Sequence, residues 1–147
     1  MRSLWISRAT TAAAALAGLT LLSTTPASAA SYWNSSAGAN ATSVGTVTEK
    51  TVTVAKKTFK IQLRVGKYGG LSYFWARAPK DSDANGINLS LSVYNPSTRK
   101  WESRSKSINN TTYTDAHRSI HKYGYKACAK APGLGGSAPV CTSARYV

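Results

Sequence analysis

The clearest pattern in the chain is an alternation with a period of two residues. Phe59, Ile61, Leu63 and Val65 are apolar and Lys60, Gln62 and Arg64 between them are polar, which is the spacing of a strand with one face in a core and the other in water. Lys67-Tyr68-Gly69-Gly70 then reverses the chain, because glycine reaches positive φ without a Cβ clash. Leu71 to Ala78 follows as a second strand, apolar on both faces through Tyr73, Phe74 and Trp75, and is expected at the centre of a sheet.

The same alternation marks the remaining strands. Thr46 to Ala55 is rich in Thr and Val, both of which suit a pleated surface. Ile87, Leu89, Leu91 and Val93 alternate with Asn88, Ser90, Ser92 and Tyr94, and Asn95-Pro96-Ser97-Thr98 supplies the next turn. In Arg99 to Ser107, Trp101 shares a side with Ser103 and Ser105, while Lys100, Glu102, Arg104 and Lys106 take the other. Trp101 reads as this strand's anchor, and its charges suit a sheet edge. In Ile108 to Ile120, Thr114 would cap a helical turn through His117, yet the Thr and Tyr before it favour a strand. Tyr123, Tyr125 and Ala127 share one face, as do Val140, Thr142, Ala144 and Tyr146. About seven short strands without a long helix predict an all-β fold, an antiparallel β-sandwich, with a small β-barrel as the alternative.

The first thirty residues stand outside this pattern. Arg2 and Arg8 precede an apolar run from Ala9 to Leu22, and Ala27-Ser28-Ala29 follows, the order of a secretory signal peptide. The expected organisation is a signal peptide over 1–29, a flexible N-terminal arm over 30–45, with Trp33 docked on the sheet, and a β-sandwich domain over 46–147. An exported chain with two cysteines is expected to join them, Cys128 to Cys141. If the two lie opposite each other, Lys126 faces Ser143 and Gly124 faces Arg145.

The order RVGKYGGLSYFWARA, KWESRS, TTYTDAHRS, YGYKACAKAP and VCTSARYV resembles a group of short secreted β-proteins common in actinobacteria. Members have a glycine turn before an aromatic W-A-R strand and a Cys-to-Cys hairpin near the C-terminus. The resemblance implies a β-rich exported protein and brings no catalytic residue with it.

Charge changes the picture most. Nineteen Lys and Arg stand against five acids, a net charge of +14, which attracts polyanions. Lys60 and Arg64, Arg104 and Lys106, and Lys126 and Lys130 alternate with core positions on three strands and are the candidate binding residues. Tyr68, Tyr94 and Tyr113 stand near charges and would add stacking on sugar or base.

Other chemistry has less support. Asp81-Ser82-Asp83-Ala84-Asn85-Gly86 matches half a calcium loop, but Ser92 stands where the bidentate Glu belongs, so turn chemistry is the expectation. His117 and His121 would lie one turn apart on a helix, without an evident third ligand for zinc. Either histidine, paired with Glu102 or Glu49 and with Arg118 or Arg104 as a clamp, would suit a nuclease. Neither a cofactor nor a metal is expected. The expected function is a secreted, cationic, non-enzymatic monomer that binds extracellular polyanions: cell-wall polymer, nucleic acid or membrane surface. A secreted ribonuclease-type toxin is one alternative. The other is an interaction or inhibitor module that presents the 132–139 loop to a secreted protein.

Overall fold

Two antiparallel sheets pack against each other without closing into a barrel in the computed structural model of the protein, which describes residues 31–80, 84–133 and 137–147. The first sheet has the order β1 (Trp33–Asn34), β8 (Ala116–Arg118), β4 (Leu71–Ala78), β3 (Lys57–Tyr68), β2 (Thr42–Val54), with β7 (Thr112–Tyr113) also on β4. The second runs β10 (Val140–Cys141), β9 (Gly124–Lys130), β5 (Asn88–Asn95), β6 (Lys100–Ser107), with β11 (Arg145–Tyr146) also on β9. The expected sandwich is present, built among the described residues from six long strands and five short ones. The calcium-like loop begins at Asp81, and residues 81–83 lie outside the described residues, as do 134–136 of the 132–139 loop.

The core is what the alternation places between the sheets. Phe59, Ile61 and Leu63 of β3 and Phe74, Ala76 and Ala78 of β4 face Leu89, Leu91 and Val93 of β5 and Tyr125, Ala127 and Ala129 of β9, all buried. β4 lies inside its sheet, as its two apolar faces imply. Its other face carries Trp75, only 1% exposed beneath Ala37 and Ala116. The short helix α1 (Ala37–Asn40) supplies that cover, and Asn34 Oδ1 starts its turn by accepting the N–H groups of Ser36 and Ala37 at 2.8 and 2.9 Å. Residues 33–45 are therefore not a loose arm: they hold β1, α1 and the start of β2.

Three local expectations are corrected. Thr114 caps no helix. Its hydroxyl accepts from the Ala76 N–H at 3.0 Å and donates to the Asp115 carbonyl at 2.9 Å, bridging the gap between β7 and β8 along β4. Trp101 is no core anchor, because all of β6 is exposed at the edge. In the C-terminal hairpin Cys141 opposes Cys128 and the disulfide is formed, but Arg145 opposes Tyr125 and Tyr146 opposes Gly124. This is a slip of one residue from the simple ladder. It occurs at Thr142, whose hydroxyl accepts the Ala127 N–H at 3.1 Å. A one-residue slip turns side chains to the opposite face, and Tyr146 accordingly emerges on the outer side.

Candidate binding surface

Strand parity divides the six candidate cations among three places. Lys60 and Arg64 lie on the outer face of the first sheet. There Lys60 pairs with Glu49 at 3.1 Å, and Glu49 also accepts from Gln62 at 2.6 Å. These two hydrogen bonds, Gln62's first, hold the Glu49 carboxyl below its usual range. Arg64 bonds the Thr46 hydroxyl, and burial, then the charge of Arg77, lowers its pKa.

Arg104 and Lys106 project from the core-facing side of β6, past the edge of the core. Arg104 donates to Asp115 at 3.1 Å and lies 4.8 Å from the centre of the Trp33 ring, so it bridges the two sheets at their open edge. Trp33 is docked there, packed edge-on against His117 at 4.9 Å. Lys106 lines a groove of about 320 Å³ with Asn109, Thr112 and Tyr113.

Lys126 and Lys130 stand on the outer face of the second sheet. Lys126 Nζ lies 4.0 Å over the ring of Trp101, which is 39% exposed. Tyr94 adjoins Trp101 at 5.5 Å on one side and Tyr146 at 6.2 Å on the other. Next to these rings Asn88, Ser90, Ser92, Ser103, Ser105 and Lys130 line a trough of about 340 Å³. The Ser92 and Ser103 hydroxyls are 2.7 Å apart on its floor. No single basic face gathers the six cations. What the fold assembles is a row of three rings, a hydroxyl floor and two ammonium groups on the outer face of one sheet.

Two members of this surface, Trp101 and Tyr146, read as inward-facing in the sequence. Trp101 carried a signal of its exposure: its neighbours two residues away, Arg99 and Ser103, are both polar, so nothing else on that side of the strand seeks a core. Tyr68 and Tyr113 of the expected stacking set pack instead around Trp75 on the first sheet.

The histidines take different places. His117 lies in β8, buried, and His121 in the exposed turn before β9, so no helix aligns them. His117 Nδ1 donates to the Arg118 carbonyl at 2.8 Å. Burial lowers its pKa, against smaller upward contributions from that carbonyl and Glu102. His117 and Glu102 line one cleft of about 240 Å³ with Tyr32, Trp33, Asn95 and Tyr123, though no hydrogen bond joins the two. Arg118 and Glu49 do not line it. Among the described residues no three metal-ligating side chains cluster and no helix is long and apolar enough to cross a membrane. No family model matches the chain, and no curated protein or solved structure is similar to it.

Proposed function

We propose that the protein is a secreted, cationic binding protein for extracellular polyanions, without catalytic activity, and that the outer face of the five-stranded sheet is where it binds. The observation that carries this reading is Lys126 over the exposed ring of Trp101, flanked by Tyr94 and Tyr146. An exposed tryptophan with a cation beside it contributes stacking and charge at one spot, whereas Lys60 and Arg104 are already paired with carboxylates. The disulfide fits export into an oxidising compartment. The test is retention on an immobilised polyanion such as heparin. Binding at low salt that falls steeply as salt rises supports the reading, and the double variant Lys126→Ala/Lys130→Ala elutes earlier than wild type. No retention at low salt overturns it.

A second reading, an RNA-cleaving toxin, draws on His117 and Glu102 sharing a cleft with Arg104 nearby. It requires cleavage of RNA by the purified protein that His117→Ala abolishes while the fold persists. Intact RNA at micromolar protein removes this reading.

A further inference from the structure

We infer that the polymer held on the outer face of the five-stranded sheet is an acidic polysaccharide, its sugar rings seated on Trp101 and in the adjoining serine trough. The inference rests on the polyanion reading and narrows it to one chemical class. Three features of the face select that class. The trough offers hydroxyl and amide groups from Asn88, Ser90, Ser92, Ser103 and Ser105 against one ammonium, that of Lys130. Such a floor matches a ligand dense in hydroxyls. A DNA strand, whose sugars are esterified at both ends and keep no free hydroxyl, has little to offer it and relies on phosphate–cation contacts instead.

The rings point the same way. Trp101 is inclined by 50° to Tyr94, and Tyr146 by 75° to Tyr94, so they form no set of parallel plates for successive bases. Trp101 is 39% exposed, with the Lys126 ammonium over its ring at 4.0 Å. Once that mobile side chain swings aside to meet an acidic group, the ring suits a pyranose, whose C–H side packs on an aromatic ring while its hydroxyls reach outward to the trough. The volume of about 340 Å³ is at the lower end of the roughly 300–1,000 Å³ usual for small-ligand sites, a fit for a short stretch of chain. Lys126 over Trp101 and Lys130 at the trough place positive charge at both ends of this path, where carboxylate, sulfate or phosphate groups on the sugars would meet it.

The experiment compares three probes on the full exported chain: polygalacturonate, dextran and single-stranded poly-dT, each titrated at low and high salt. The expected result is that polygalacturonate binds at least about tenfold more tightly than dextran. Trp101→Ala, at an exposed site, and Ser105→Tyr, which fills the trough from the edge strand, each weaken polygalacturonate about tenfold. The unaltered melting temperatures of both variants show that the fold is intact. Part of the polygalacturonate binding persists at high salt, because ring stacking is not screened. Poly-dT binding that is tighter than polygalacturonate, or polygalacturonate binding indifferent to both variants, overturns the inference and leaves the broader polyanion reading standing. Absence of binding to both anionic polymers at low salt overturns both.

Discussion

Phe74 and Tyr125 stack across the middle of the sandwich, one ring from each sheet, with centroids 4.3 Å apart and planes 15° from parallel. The Tyr125 hydroxyl extends beyond this stack, donating to the Arg118 carbonyl at 2.8 Å and accepting the Ile120 N–H at 3.0 Å. Burial pushes its pKa up to about 12, so it remains a donor at any ordinary pH. Tyr125→Phe keeps the stack and leaves the Ile120 N–H unpaired, and is expected to cost about 1–3 kcal/mol. Phe74→Ala is expected to cost about 3–5 kcal/mol. Urea denaturation of both variants checks the order, and equal losses would mean that the hydroxyl matters as much as the ring.

The disulfide between Cys128 and Cys141 spans a sequence separation of 13 and ties β10 to β9 at the end of the sheet. Closing a loop of this size removes unfolded-state entropy worth about 3 kcal/mol. The double variant Cys128→Ala/Cys141→Ala should lose roughly that much. Denaturation under otherwise identical conditions measures it. A loss below about 1 kcal/mol would indicate that Thr142, bonded to Ala127 through both backbone and side chain, already fixes the hairpin.

His117 makes stability depend on pH. Its ring lies among Trp33, Tyr123 and Tyr125. Burial is the largest cause of its lowered pKa, Arg104 adds to it, and Glu102 and the Arg118 carbonyl oppose it. Because the folded ring takes up a proton less readily than the unfolded one, this contribution is complete above the ordinary value of 6.5. It is lost as pH falls from there through the folded value. Melting temperatures should decline as pH is lowered below about 6.5, and His117→Gln should flatten that part of the curve. A wild-type profile level down to the carboxylate range would contradict the assignment.

Two glycines that look alike in sequence should behave differently. A Cβ on Gly66 would lie 2.9 Å from Trp75 Cη2 and 3.1 Å from the Thr42 carbonyl oxygen, with Trp75 held on all sides. Gly66→Ala is therefore expected to cost about 1–3 kcal/mol through overpacking. A Cβ on Gly124 would come within 2.6 Å of the Tyr146 ring, but that ring is 55% exposed and can swing outward. Gly124→Ala should cost less stability while displacing Tyr146 from the binding face. Melting temperature and polymer affinity, measured on both variants, should change in opposite order.

What was legible in the sequence follows from where the local signal was strong. The β3–β4 hairpin has clean alternation and two glycines at positive φ, 57° and 79°, and strand, turn and central position could all be read from it. The β2–β3 turn has no such marker. Ala55 and Lys56 occupy positive φ, 50° and 64°, because the paired strands closing at Val54 and Lys57 demand it. The candidate surface was half legible. Lys126 and Lys130 alternate with core positions, so their outward direction was evident. Which sheet faces which way is a matter of strand order, and alternation within one strand does not encode it. Tyr146 was misassigned because a side-chain hydroxyl, that of Thr142, replaces one rung of the ladder, and such a slip leaves no trace in spacing.

The separation of the cations yields the sharpest remaining test. If overall charge alone drove binding, removing any one lysine or arginine would weaken it equally, since each contributes one unit to a net charge of +14. If the outer face of the second sheet is the site, position decides. Lys60 lies on the opposite side of the sandwich, paired with Glu49, and Arg104 is held at the open edge by Asp115 and Trp33. Lys60→Ala and Arg104→Ala should each leave affinity for polygalacturonate within about twofold of wild type, whereas Lys126→Ala should weaken it about fivefold or more. Arg104→Ala should also cost no more than about 1 kcal/mol of stability, as exposed ion pairs do. Equal losses of affinity at all three positions would mean that the rings of Trp101, Tyr94 and Tyr146 do not direct binding, and that the sheet face is only one part of a uniformly charged coat.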